Sequence, residues 1–348
     1  MSLPKFFGLD IGNHSIKAIR LADPSEEKPR LAGFAYGSTP MGILMSDNED
    51  AQERLAVAIK DIIKSSNLSD TKQVVFAVPE SHVVRRLMTL PYVDDAGLET
   101  AVTFEMKKWL SSPLDDVRIG KVIVGEKMQG DARVVDVLGI AVKVPYLDRY
   151  IRVLEMAGLE PIAAETEGIA TVRSIFPTAQ DVTSSYLIVD FGSGSTDVSV
   201  AFKDKLIYSD SIPYGSDSIT KAISQSFSMD VVKAEEYKKT YGIDASHFNG
   251  KLSNVIAPVT DLILTDVRKT LEYFRREFSE ISPSKIFITG DAANMPGLAK
   301  YVADKLQIVV EIANAWQYVL VPERDMGLLK KNASAYTVAI GLAKKTDF

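Results

Sequence analysis

The chain opens on an apolar run, Phe6-Phe7-Gly8-Leu9, that breaks at Asp10-Ile11-Gly12 and resumes as Ile16-Lys17-Ala18-Ile19 beyond a polar tip. The pattern returns as Tyr186-Leu187-Ile188-Val189, then Asp190-Phe191-Gly192, then Val198-Ser199-Val200. Short apolar runs on either side of a polar, glycine-bearing tip predict a β-hairpin. Recurrence of the whole unit in the second half of the chain points to a duplicated α/β architecture rather than two unrelated turns.

The rest of the periodicity fills in both halves. A strand at 31–36, a helix at 51–63 with Leu55, Ala58, Ile59 and Ile62 on one face, and a buried strand at 74–78 complete a βββαβ start. From Ser81 the pattern changes to a strand at 83–90, then a helix burying Leu98, Val102, Met106 and Trp109. A strand pair at 117–126 and 133–143 turns at Gln129-Gly130-Asp131, and a helix at 144–157 stops at Gly158. This reads as an α+β module inserted in the first half, and an added module of this kind suits recognition. A returning helix at 165–176 and a polar linker at 177–185 lead into the second hairpin. Helices follow at 217–227, 252–278 (burying Val259, Ile263, Val267, Leu271, Phe274 and Phe278), 297–306 and 334–345, with a strand at 285–289. The expected division is a first core of 1–81, 160–180 and 331–348 with the insert at 82–159. A second core of 181–214 and 284–330 carries a helical, ligand-contacting part at 215–283.

A length of 348 residues suits two domains, each with its own core. The net charge of −6 gives no electrostatic reason to expect nucleic-acid binding. The absence of cysteine excludes disulfides, thiolate zinc sites and cysteine nucleophiles, and three scattered histidines, His14, His82 and His247, do not suggest a metal cluster. No apolar run approaches the ~20 residues of a membrane helix, and the last residues are too few for an amphipathic anchor. The expectation is a cytoplasmic chain without direct membrane insertion.

Hairpin tips present backbone N–H groups, and such arrays suit phosphates. Gly12, Asn13, His14 and Ser15 would surround a phosphate chain on one side, and Gly192, Ser193, Gly194, Ser195 and Thr196 on the other. Asp10 and Asp190 are placed to hold a hydrated Mg²⁺, which binds through few carboxylates and keeps its waters. Lys17 either neutralises phosphate charge or points outward from its strand, and His14 is read as a backbone contributor rather than a proton shuttle.

The ordered set of hairpin, connecting helix, second hairpin, strand-plus-glycine and terminal small-residue helix resembles the actin-like ATPase superfamily across the whole chain. The resemblance implies an actin-like ATPase (ribonuclease H-like) fold, with two duplicated α/β domains around an ATP–Mg²⁺ cleft. Ile286-Phe287-Ile288-Thr289-Gly290, with the residues after it, resembles the adenosine motif, which assigns Gly290, Asp291, Ala292 and Met295 to the nucleotide. Gly215 falls at a position where a glycine pair is usual, and Ala234-Glu235-Glu236-Tyr237-Lys238 resembles the helix whose Glu and Lys reach ribose and base, here Glu235 and Lys238. The glycine pairs usual in the superfamily read Gly290-Asp291 and Gly215-Ser216 here. On the connecting helix, Glu165 and Glu167 are candidates to position an attacking water, or else helix N-terminal acids satisfying the macrodipole.

Within the superfamily the insert resembles that of the PilM family of type IV pilus assembly, through Glu105-Met106-Lys107-Lys108-Trp109, Ser112-Pro113-Leu114-Asp115-Asp116 and Ala157-Gly158-Leu159-Glu160-Pro161. That likeness implies an ATP-binding scaffold, peripheral to the inner membrane through the cytoplasmic N-terminal segment of a PilN-like protein. A pilus motor ATPase or a second copy of the chain stand as further partners. An FtsA-like filament protein and a small-molecule kinase of the same fold are the alternative readings.

Overall fold

β1 (Phe6–Ile11), β2 (Ser15–Ala22) and β3 (Arg30–Ser38) form an antiparallel meander; beyond α1 (Glu49–Lys64), β4 (Gln73–Val78) lies parallel to β1. The computed structural model describes residues 5–40, 48–176, 184–277 and 282–346, so the linker residues 177–183 and Phe278 lie outside it. The insert follows as β5 (Val83–Pro91), α2 (Asp95–Lys107), β6 (Val117–Gln129), β7 (Ala132–Lys143) and α3 (Val144–Met156). β8 (Glu160–Thr166) then returns to close the first sheet, in the order β3-β2-β1-β4-β8. After α4 (Glu167–Ile175) come β9 (Ser185–Phe191), β10 (Thr196–Phe202) and β11 (Lys205–Ile212), then α5 (Ser216–Phe227), α6 (Val231–Tyr241) and α7 (Lys251–Glu277). β12 (Lys285–Thr289), α8 (Leu298–Leu306) and β13 (Val309–Ile312) complete a second sheet in the order β11-β10-β9-β12-β13. α9 (Glu323–Leu329) and α10 (Thr337–Ala343) follow. Both sheets are a meander plus two parallel strands on the same side, so the duplication read from the hairpins extends to the whole topology.

The first sheet buries Phe7, Leu9 and Ile11 against α1 and α3, and its other face packs Phe6, Val75 and Ala77 against Ala170 of α4 and Val338 and Leu342 of α10. The second sheet packs α5 to α8 on one face. On its other face, Val172 and Ile175 of α4 meet Ile188, Ala201 and Leu206. Helix α4 is thereby shared between the halves.

Several expectations shift. α3, expected within the insert, packs Tyr146, Tyr150, Val153 and Leu154 on the first sheet with α1, so the antiparallel β5-β7-β6 sheet and α2 are the module proper. Trp109, expected on the buried face of α2, lies past its end and is 53% exposed, with the Arg86 guanidinium 3.9 Å from its ring centroid. The returning helix begins at Glu167 rather than 165, because Thr166 caps it through a bond from the Ile169 N–H (3.4 Å). Residues 160–166, with Glu165 among them, are instead the edge strand beside β4.

Candidate functional site

Asp10 and Asp190 sit near the C-terminal ends of the equivalent central strands β1 and β9, where open α/β sheets leave their crevice. The hairpin tips after them face each other: a Cβ built on Gly194 would come 2.7 Å from Asn13 Nδ2. Between them lies a cavity of about 630 Å³ lined by Asp10, Gly12, Asn13, Lys17, Glu167, Asp190, Gly192, Ser193, Gly194, Ser195, Asp197, Gly290 and Asp291. A neighbouring cavity of about 320 Å³ is lined by His14, Ser15, Ser216, Glu235, Lys238, Asp291, Ala292 and Met295.

The hairpins differ in what faces each aspartate across the strands. Asp10 pairs in register with Lys17, but Asp190 pairs with Asp197. Like charges directly opposite repel. Burial, together with Asp197 and Asp10, holds Asp190 well above the usual carboxylate range. Burial and then the neighbouring acids do the same for Glu167. Asp10 is raised by burial against the opposing pull of Lys17. Asp197, held up by burial and by Glu80, is pushed to about 7, and its Oδ1 is buried without a hydrogen-bond partner. Lys17 turns inward: its Nζ lies 3.6 Å from Asp10 and 3.1 Å from Asp291, so it does not point outward from its strand.

The remaining site residues divide. Lys238 Nζ lies 2.7 Å from Glu235 Oε2 and donates to Thr220 Oγ1 (2.8 Å), so this pair is built into the wall of the smaller cavity. His14 Nε2 reaches Asp217 Oδ2 at 3.1 Å, and that bond raises the imidazole's pKa, so its side chain engages the second half while its carbonyl accepts from the Thr39 N–H (3.0 Å) within the first. Thr196 is fully buried with its hydroxyl spent on the Tyr214 carbonyl (2.8 Å), outside both cavities. Gly215 likewise lines neither cavity; a Cβ there would crowd the Ser193 carbonyl. Gly290 adopts φ +92°, and a Cβ would fall within 3.0 Å of Asp190 Oδ1 and of the Phe191 backbone. Glu165 is not brought to the cleft. Arg173 donates to both its oxygens at 2.6 and 2.9 Å and Lys345 adds a bond at 2.8 Å, all beside a separate cavity of about 800 Å³. It ties α4 to the C-terminal segment, so of the two glutamates expected there only Glu167 lines the cleft.

Two residues escaped the sequence reading. Asp197 carried a usable signal, since each aspartate is followed seven positions on by a charged residue, Lys17 or Asp197. Glu80 carried none. It is 2% exposed and pairs with Arg85, while accepting from Ser209 Oγ and from the Gly168 N–H (2.7 Å).

These groups suit a hydrated divalent cation. Four acids, Asp10, Asp190, Asp197 and Glu167, are drawn together with an unsatisfied buried carboxylate oxygen among them. Among the described residues no three His or acidic side chains converge as direct ligands. Mg²⁺ binds through one or two carboxylates and keeps several waters, and acids of this cavity such as Asp10 and Asp190 could supply those carboxylates.

The raised Asp197 pKa has a consequence for stability. The unfolded chain loses this proton near 3.8 and the folded chain near 7. Its contribution to stability is therefore present below the unfolded value and is lost as pH rises through the folded one. Asp197→Asn is expected to remove this part of the slope of metal-free stability between those two values, and to leave the variant more stable than wild type above pH 7. Melting temperature against pH for both proteins is the check, and parallel curves would contradict it.

Two duplicated sheets closing on a cleft lined by acids and small residues, with an antiparallel module inserted in the first, define an actin-like ATPase fold. Comparison supports this: MreB5 of Spiroplasma citri bound to AMPPNP superposes with a TM-score of 0.57 over 98% of this chain and 95% of that one, at 15% identity. The profile of the family described as type IV pilus assembly protein PilM matches residues 8–347, and the chain belongs to that family. A solved PilM–PilN type IV pilus biogenesis complex contains a chain 25% identical, with a TM-score of 0.85 over 98% of both chains. Cell division protein FtsA of Bacillus subtilis is 24% identical over 279 residues, 71% of this chain and 60% of the length of FtsA. No helix among the described residues is long and apolar enough to cross a membrane.

Proposed function

We propose that the chain is an ATP-binding scaffold of type IV pilus assembly, which takes Mg-ATP in the cleft and a PilN-like N-terminal peptide on its inserted module. The observation that carries the nucleotide reading is the pair of facing hairpins with Asp10 and Asp190 at equivalent strand ends. The larger cavity takes the phosphates and the smaller one the ribose and base, beside Glu235, Lys238, Ala292 and Met295. Mg²⁺, when bound, screens the phosphate charge from the surrounding acids. Asp10 and Asp190 hold its waters, Lys17 and the tip N–H groups orient the phosphates, and Glu167 stands where a water could be positioned. Because one nucleotide touches both halves, its differential affinity for closed and open forms sets the angle between them.

The partner reading is supported by family membership, by the likeness to a PilM–PilN complex and by the insert's surface. Tyr92, Phe104 and Trp109 are exposed there, and aromatic side chains are enriched at protein–protein interfaces. Asp190→Ala is expected to weaken Mg-ATP binding by about 10- to 100-fold, read by titration calorimetry. Phe104→Ala with Trp109→Ala is expected to release a labelled PilN-type N-terminal peptide, read by anisotropy. Undiminished metal-dependent ATP uptake in the first variant, or unchanged peptide binding in the second, would overturn the corresponding half of the proposal.

A further inference from the structure

Asp291 stands at the junction of the two cavities and lines both. It belongs to the second half, in the turn after β12, where the Gly290 N–H bonds the Ser334 carbonyl (3.1 Å) and the Ala292 N–H bonds the Phe191 carbonyl (3.2 Å). Its carboxylate reaches across to the first hairpin. Ser15 Oγ donates to Oδ2 at 3.0 Å, and Lys17 Nζ lies 3.1 Å from Oδ1 and 3.3 Å from Oδ2. The Lys17 side chain is 5% exposed and that of Asp291 42%. The acceptor is thus the more accessible partner and the one that can be displaced. Burial alone would lower the Lys17 pKa, but the charges of Asp10 and Asp291 outweigh it and hold the ammonium protonated.

A hydroxyl and an ammonium converging on one oxyanion form the donor set a phosphate oxygen takes. A nucleotide spanning both cavities must pass this point, bringing its own negative charge against the carboxylate. We propose that Asp291 sets the affinity of the cleft: an internal anion that occupies Ser15 and Lys17 in the empty protein and is displaced by a nucleotide phosphate. The inference rests on the nucleotide reading above and adds to it a cost of entry. The apparent affinity is the intrinsic one reduced by the fraction of molecules whose donors are free. The same contact links the two halves across the cleft.

The test uses full-length Asp291→Asn, which removes the charge at constant shape, and Asp291→Gly, which removes the side chain. Both are titrated with Mg-ATP beside wild type, and hydrogen exchange of the amides of residues 12–17 is followed without nucleotide. The expected result is Mg-ATP binding tighter than wild type by about tenfold or more, with faster exchange at the first hairpin tip in the empty variants. Equal or weaker binding in both variants, with hairpin exchange unchanged, would overturn the inference. If no protein, wild type included, takes up nucleotide while the variants still exchange faster, the tie between the halves stands and the nucleotide reading fails.

Discussion

Glu80→Ala is expected to lower stability by about 3–5 kcal/mol, the cost of breaking a buried ion pair by removing one partner. The Glu80 side chain is 1% exposed and that of Arg85 9%, so neither charge can recover its loss from water. By contrast, Lys300 and Asp304, 2.7 Å apart and 82% and 65% exposed, form a surface pair that water largely screens. Glu80 also joins three parts of the molecule. Its carboxylate accepts from Gly168 at the start of α4, from Ser209 of β11 and from Arg85 of the insert, while Arg85 donates onward to the Ser209 carbonyl (2.8 Å). The variant would leave a buried guanidinium without its carboxylate and the Gly168 N–H without its acceptor at the point where the two halves and the insert meet. Urea unfolding is the measurement. Glu80→Gln, which keeps an acceptor, should lose less than Glu80→Ala, and adding Arg85→Ala to Glu80→Ala should recover part of the loss because no lone charge stays buried. A midpoint within experimental error of wild type would show that the junction does not depend on this pair.

How much of this was legible depended on how clean a pattern each strand carries: the edge strands β3, β5 and β6 were read, whereas three other edge strands were not. β1, β2, β4, β9, β10 and β12 carry apolar runs or hairpin tips, because both faces are covered or a tight turn fixes them. The unread strands β8, β11 and β13 are all at sheet edges. β13 is largely exposed and β8 mostly half-buried, so no clean alternation marks them. The same blur moved Glu165 from strand to helix on paper, and with it a proposed catalytic role. In the structure the glutamate's two oxygens are occupied by Arg173 and Lys345. Most residues that line the cleft were legible because they sit on two repeated hairpin tips, which small residues and acids mark in the sequence. Glu80 was not, since a buried glutamate has the same letter as a solvated one and only the fold discloses its partners. Lys17 became decidable once the register set it opposite Asp10.

The second large effect is expected at the crossing of α4 and α10. A Cβ on Gly341 would fall within 3.0 Å of the carbonyl O, carbonyl C and Cα of Ala170. These are backbone atoms in the middle of a helix, so no rotamer change relieves the overlap and the helices must move apart. Overpacking a core costs about 1–3 kcal/mol and occasionally more. With rigid backbone as the obstacle and a branched side chain, Gly341→Val is expected at about 3 kcal/mol or above. Separation here disturbs the cleft as well. Ala170 packs on the first sheet and Val172 on the second, and the Ser334 carbonyl just before α10 accepts from Thr289 Oγ1 (2.7 Å) and from the Gly290 N–H (3.1 Å) beside Asp190. Stability and Mg-ATP affinity should therefore fall together in this variant. Gly327 is the control: it lies exposed in α9, and a Cβ added there would meet no atom within 4 Å. Gly327→Ala should accordingly be neutral or stabilising by up to about 1 kcal/mol. Thermal unfolding and nucleotide titration of both variants separate the outcomes. If Gly341→Val melts with wild type, or melts early yet binds Mg-ATP unchanged, the α4–α10 crossing does not set the geometry of the cleft.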